Sequence, residues 1–181
     1  MAKVTKLNHK NDAQAAPALD TPTDISPQAV KELSKALNAL LADTFVLYLK
    51  TKNFHWHVSG PHFRSYHLLL DEQADEIYAT TDPIAERVRK LGGSTIRSIG
   101  DIAQRQTLKD NDADFVPPLD MLRELMNDNK TTIANMRKLH ELCDKHDDVA
   151  TASLLENYID AAEKRNWFLF EASRGADHTG H

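Results

Sequence analysis

Apolar residues recur at helical spacing from Val30 through Leu33, Leu37, Leu40, Leu41, Val46 and Leu47 to Tyr48, with polar residues between them. A period near 3.6 predicts an amphipathic helix rather than a strand. Ser26-Pro27 marks its start, a serine cap followed by proline at the first helical position, and the pattern runs to about His57. Gly60-Pro61 breaks the chain. A second helical stretch is expected from about Pro61 to Lys90, carrying Leu68, Leu69, Leu70, Ile77, Ile84 and Val88. It ends at Leu91-Gly92-Gly93, with Arg89 and Lys90 in the last turn. Pro83 removes a backbone donor inside this stretch, but its neighbours are good helix formers, so one kinked helix is favoured over two.

Residues 94–116 read as a connector holding a short helix around Ile96 to Gln104. A third helix is expected from Pro117-Pro118 through Leu122, Leu125, Met126, Ile133, Met136 and Leu139 to about Cys143. The segment Lys145-His146-Asp147-Asp148 is a turn in which Asp147 or Asp148 is placed to cap a fourth helix. That helix spans Val149 to Arg174, with Leu154, Leu155, Tyr158, Ile159, Ala162, Trp167, Phe168 and Phe170, and Gly175 stops it. Nothing reads as a strand or as an internal repeat. Four long helices with one long middle connector predict an all-α chain with a crossover, a ferritin-like four-helix bundle with a short extra helix between helices two and three. Residues 1–25 lack periodicity and are expected to be a flexible arm, 26–175 the bundle domain and 176–181 a short tail, itself a weak chelator at most.

The whole-chain balance excludes several classes. With 181 residues there is room for one domain with a sizeable core. The net charge of −5 argues against nucleic acid binding over the whole surface. Cys143 is the only cysteine, which rules out an intrachain disulfide and suits a reducing compartment. The N-terminus lacks the apolar core of a signal peptide, and no stretch approaches the roughly 20 apolar residues that span a bilayer. A cytoplasmic protein with no membrane partner is expected.

The candidate chemistry lies in His55, His67, Asp71, Asp82 and Glu86, spaced H-x11-H-x3-D-x10-D-x3-E. Two imidazoles and three carboxylates form a mixed N/O set that suits divalent iron, manganese or zinc, and the lack of thiolates argues against a structural zinc site. Each helical residue advances about 100°, so with His67 at zero Asp71 falls near 40°, Asp82 near 60° and Glu86 near 100°. The four share one stripe. Each i,i+4 pair can clamp an ion, but 15 residues separate the pairs, roughly 22 Å of helix, so one ion cannot touch both within a chain. Antiparallel pairing with a second copy, about a two-fold axis near the middle of the stripe, places His67 and Asp71 of one chain opposite Asp82 and Glu86 of its mate. His55 can then complete the histidine side. The plainer reading is that a buried histidine is a satisfied hydrogen-bonding group and that acids at helical spacing are solvated surface. His57 and His62 are surface candidates, and Trp56 beside His55 is a packing group that would report on metal by its fluorescence.

These residues resemble the Dps family, the mini-ferritins also called DNA-binding proteins from starved cells. The likeness rests on His55-Trp56, the Gly60 turn, Phe63, His67-Leu-Leu-Leu-Asp71, Asp82-Pro-Ile-Ala-Glu-Arg-Val and Leu91-Gly-Gly. It resumes with Asp148-Val-Ala-Thr and Lys164-Arg-Asn-Trp167-Phe-Leu, and so spans about residues 26 to 175. The resemblance implies a hollow shell of twelve subunits built from two-fold dimers, with a ferroxidase site at each two-fold interface. His55, His67 and Asp71 would come from one chain and Asp82 and Glu86 from its partner. The implied activity is oxidation of Fe(II) to Fe(III), usually with hydrogen peroxide, followed by storage of ferric mineral. No organic cofactor is expected. The Glu-x-x-His motif of larger ferritins is missing, which disfavours an intrachain di-iron centre.

Three further assignments stay open in the sequence. Glu72, Asp75 and Glu76 are candidates to nucleate mineral, or are solvated charge. Asp144, Asp147 and Asp148 are candidates for an acidic iron-entry pore at a three-fold axis, although a helix cap accounts for one of them. Lys3, Lys6 and Lys10 in the arm are candidates for holding DNA phosphates by avidity over a shell, against the reading of an inert tail. The leading function is a ferroxidase and iron store that protects DNA. The alternatives are a nucleoid-associated DNA-binding protein in which iron oxidation is secondary, and a shell that sequesters zinc or manganese without redox turnover.

Overall fold

The computed structural model describes residues 19–174, and six helices lie within that span: α1 Pro27–His57, α2 Phe63–Tyr78, α3 Thr81–Lys90, α4 Ile99–Arg105, α5 Pro118–Lys145 and α6 Val149–Ser173. Helix α1 starts where serine and proline predict, with the Ser26 hydroxyl accepting from the Ala29 amide at 3.3 Å. It packs against α2, α3, α4 and α5, while α5 runs along α6. The arrangement is the all-α, ferritin-like bundle with one small helix in the connector.

The second rod differs from the single kinked helix favoured above. Helix α2 stops at Tyr78 and α3 begins at Thr81, with Ala79 and Thr80 both keeping right-handed helical dihedrals. Pro83 offers no donor to the Ala79 carbonyl four residues back, and the two carbonyls before that one take side-chain hydroxyls. The Thr80 hydroxyl donates to the Ile77 carbonyl and the Thr81 hydroxyl to the Tyr78 carbonyl, each at 2.7 Å.

Both ends of the rod are set by glycine. Gly60 has φ of 97° and opens a turn in which the Phe63 amide donates to the Gly60 carbonyl, so α2 starts two residues later than Pro61. Gly92 has φ of 89° and terminates α3 in a Schellman arrangement, with the Gly93 amide on the Val88 carbonyl and the Gly92 amide on the Arg89 carbonyl. The same motif ends α5, where Asp147 takes the left-handed position with φ of 56° and the Asp148 amide reaches the Cys143 carbonyl.

Two apolar clusters fill the bundle. One gathers Leu33, Leu37, Leu41, Ile84, Val88, Met136 and Leu155; the other Leu47, Phe54, Tyr66, Leu70, Ile77, Leu122, Leu125 and Leu169. The connector is fastened to α1 by a buried carboxylate. Asp43 accepts from the Thr107 amide and hydroxyl at 2.6 Å each and from the Leu108 amide at 3.0 Å. Ser98 caps α4 through the Asp101 amide at 3.1 Å, which moves that helix to 99–105 from the expected 96–104. Residues 19–25 lie against the bundle: Arg89 donates to the Leu19 carbonyl, and Ile25 packs on the first cluster. The rest of the arm, with Lys3, Lys6 and Lys10, and the tail from Gly175 on, lie outside the described residues.

Candidate metal centre

His55 sits in the last turn of α1 and His67 in the second turn of α2, because the Gly60 turn folds α2 back along α1. Their rings stack with centroids 3.8 Å apart and planes 22° from parallel. Nδ1 of His55 lies 2.8 Å from the His67 carbonyl, and Nδ1 of His67 lies 2.9 Å from the His55 carbonyl. A carbonyl oxygen only accepts, so each Nδ1 carries a proton, and in the neutral ring the lone pair is on Nε2. That is the tautomer a metal-binding imidazole needs, held by a backbone partner behind it.

Asp71 stands one turn beyond His67, with a carboxylate oxygen 3.7 Å from His55 Nε2. The same oxygen accepts from Lys52 Nζ at 2.5 Å, and Asp75 lies 3.6 Å from that ammonium. The Lys52 hydrogen bond holds the Asp71 carboxyl below its ordinary value, while the bond to Asp71 pushes Lys52 up. Lys52 therefore occupies a cation position on Asp71 in the isolated chain. The sequence reading passed over it, although it lies three residues before His55 and so on the same face of α1. The angular count applied to the second rod would have found it.

Asp82 and Glu86 lie exposed on α3, and Glu86 pairs with Lys90 at 3.0 Å. The joint at 79–80 stays helical, so they remain roughly 22 Å along the rod from His67 and Asp71. Among the described residues, no three His, Cys, Asp or Glu side chains converge on one point within the chain. The structure stacks His55 on His67 and sets Asp71 3.7 Å from His55 Nε2, short of a three-residue cluster, and leaves Asp82 and Glu86 apart from them.

Other candidates fall elsewhere. His57 bonds to the Asn53 carbonyl of its own helix and His62 tilts against Tyr66, both at the surface. Trp56 is 61% exposed beside His55. Glu76 is taken by Lys164 at 3.1 Å and by Arg165, and Glu72 is exposed. Asp148 is buried, accepts from the Thr151 amide at 3.1 Å as the cap of α6, and takes an Arg87 hydrogen bond at 2.5 Å. Both carboxylate oxygens are engaged, so Asp148 is the capping acid. Asp144 and Asp147 are exposed at the same end, with Asp144 3.4 Å from His140.

The comparisons with known proteins place the family and the fold. The Ferritin-like domain model matches residues 34–172. An uncharacterized low temperature-induced protein of Nostoc sp. is 38% identical over 148 residues, 81% of each chain. A DNA protection during starvation protein of Brevibacillus brevis is 32% identical over 133 residues, 74% of this chain and 89% of that one. The X-ray structure of Dps from Thermosynechococcus elongatus matches with a TM-score of 0.80 at 28% identity, over 83% of this chain and 95% of that one. Among the described residues no helix is long and apolar enough to cross a membrane. On the family match, the identities and the shared fold together, the chain belongs to the Dps family of ferritin-like proteins.

Proposed function

We propose that two copies of this chain pair with their α2–α3 rods antiparallel and oxidise ferrous iron at two shared sites. In each site His55, His67 and Asp71 come from one chain and Asp82 and Glu86 from the other. The observation that carries this reading is the reciprocal bonding of His55 and His67 through Nδ1, which turns Nε2 of His55 to within 3.7 Å of Asp71 while the remaining acids lie too far along the rod to join them. Iron is the substrate. Two ferrous ions and one hydrogen peroxide, with two protons, give two ferric ions and two waters. Imidazoles admit Fe(II), and carboxylates favour the harder ferric product. Few protein ligands per ion leave positions open for oxidant and for release.

Assembly of six such dimers into a twelve-subunit shell would store the product as ferric mineral, with Asp144 and Asp147 lining an entry route. Removing iron and peroxide together limits hydroxyl-radical formation, which fits the DNA protection named for the Brevibacillus relative. Binding of DNA through Lys3, Lys6 and Lys10 is a separate reading. It is tested by gel shift at low salt with and without residues 1–12, since phosphate contacts weaken steeply as salt rises.

The test of oxidation is anaerobic loading with Fe(II), followed by peroxide, with ferric absorbance followed alongside light scattering. A rise in ferric absorbance that Asp71→Ala and His67→Ala abolish supports the reading. Binding of Zn(II) or Mn(II) with no ferric product favours sequestration.

A further inference from the structure

The middle of the bundle holds a cavity of about 30 Å³. Di-iron proteins of the ferritin-like fold project carboxylates and histidines inward between their helices. Here the polar lining is Thr44 of α1, Thr80 at the α2–α3 joint, Thr132 of α5, and Tyr158 and Arg165 of α6, with apolar side chains between them. Among the described residues, neither an acid nor a histidine lines it. The three threonine hydroxyls donate to the Leu40, Ile77 and Asp128 carbonyls at 2.8, 2.7 and 2.9 Å, which spends their protons. Tyr158 and Arg165 are left as the donors. Tyr158 forms no hydrogen bond to another described residue, and burial pushes its phenol up, so it stays protonated. Arg165 is 7% exposed, and its guanidinium carries five N–H donors. Its contacts are long: Nε to Asn129 Oδ1 at 3.4 Å and Nη1 to Glu76 at 3.5 Å, against about 2.7–2.9 Å for a good charge-assisted bond. Glu76 is also held by Lys164 at 3.1 Å, so one carboxylate serves two cations. Part-exposed Thr80, Tyr158 and Ala161 mark the opening, between the joint and α6.

We infer that this cavity binds one monatomic anion, of the chloride class, held by the Arg165 guanidinium and the Tyr158 hydroxyl. A buried charge whose donors are poorly met calls for a counter-ion or an ordered water. The space of about 30 Å³ exceeds the roughly 10–15 Å³ that one water-sized particle needs. An anion accepts from both side chains and offsets a charge that burial makes costly. A cation there meets the guanidinium with no carboxylate in the lining to hold it. The bundle interior thereby takes the opposite charge preference from a di-iron centre, and iron is turned toward ligands on the surface of the rod. Anion binding in the core stands independently of the shared iron site.

The test uses the full-length protein crystallised without chloride, soaked in sodium bromide and measured at the bromine absorption edge. The expected result is an anomalous peak in the cavity beside Arg165 and Tyr158, absent from Arg165→Met. In solution, gluconate is exchanged for chloride at constant ionic strength while the denaturant midpoint is followed. The midpoint is expected to rise with chloride and level off in the wild type, and to stay flat in Arg165→Met. Tyr158→Phe, which loses one bond to the ion, is expected to need about ten- to hundredfold more chloride. Methionine keeps the apolar stem of the arginine; should that variant fail to fold by circular dichroism, Tyr158→Phe carries the comparison. Bromide confined to the surface with water in the cavity, or a chloride dependence unchanged in the folded variants, overturns the assignment. So does a peak with no chloride dependence in solution, which is binding at crystal concentration only.

Discussion

His55 and His67 hold each other by their backbones: each ring donates from Nδ1 to the other residue's carbonyl, at 2.8 and 2.9 Å, while the rings stack. Both Nδ1 atoms are thereby committed to donating. Nitrogen-correlated NMR at neutral pH is expected to show the Nδ1–H tautomer for both rings, with Zn(II), a redox-inert probe, shifting the Nε2 resonances first. Observation of Nε2–H on either ring would remove the basis for calling the pair ready for metal.

Lys52 holds the Asp71 oxygen that the proposed shared site would offer to a metal. Replacing it by methionine keeps the aliphatic stem and deletes the ammonium, so Asp71 returns toward its ordinary carboxylate value. Affinity for a redox-inert divalent cation is expected to rise about two- to fivefold, in the range of a partly exposed ion pair. Isothermal titration of the wild type against Lys52→Met measures this, and a fall in affinity would assign Lys52 a supporting role instead.

Glu32 makes the joint between the start of α1 and the end of α5 sensitive to acid. It accepts from Gln28 at 2.5 Å, from His146 at 2.9 Å and from Lys145 at 3.0 Å, and these bonds lower its carboxyl from 4.5 to about 2. A depressed carboxylate stabilises the fold above its ordinary value and loses that contribution as pH falls through the folded one. Stability should therefore decline from about pH 4.5 toward pH 2 in the wild type. Glu32→Gln should show a shallower decline in chemical denaturation across that window, and identical slopes would count against the assignment.

Asp43 is the buried anchor of the connector, and its loss strands two amide donors and a hydroxyl. Asp43→Ala is expected to lower stability by about 2–4 kcal/mol, the range for leaving buried donors without partners. Denaturant midpoints for Asp43→Ala and Asp43→Asn check this. Asparagine keeps an acceptor oxygen and is expected to fall between the two.

Local chemistry was readable along the chain wherever it acts over one helical turn. Ser26-Pro27 starts α1, Gly92 ends α3, and the turn before Val149 is capped by Asp148, all from neighbouring residues. That His67, Asp71, Asp82 and Glu86 fall on helices of one rod was readable because helical periodicity converts spacing into direction. What escaped depends on approaches between distant segments. The bond between Asp43 and Thr107 joins groups 64 residues apart, and nothing near either residue announces it. The mutual locking of His55 and His67 needs the Gly60 turn to bring two backbones within hydrogen-bonding distance. The break at 79–80 followed from Thr80 and Thr81 supplying hydroxyls to carbonyls, where a count of helix formers saw continuity. Asp148 is set apart from Asp144 and Asp147 by its bonds to Thr151 and by Arg87, which arrives from another helix.

Sharing of the site between chains is tested most directly by complementation. A His55→Ala/His67→Ala chain and an Asp82→Ala/Glu86→Ala chain are each expected to lack ferroxidase activity alone. Unfolded together and reassembled, they should regain one intact site in every mixed dimer, built from the histidine side of the second variant and the acid side of the first. Mixed dimers confirmed by mass, yet with no recovery of iron oxidation or metal binding, would contradict the shared site. So would either double variant retaining full activity by itself.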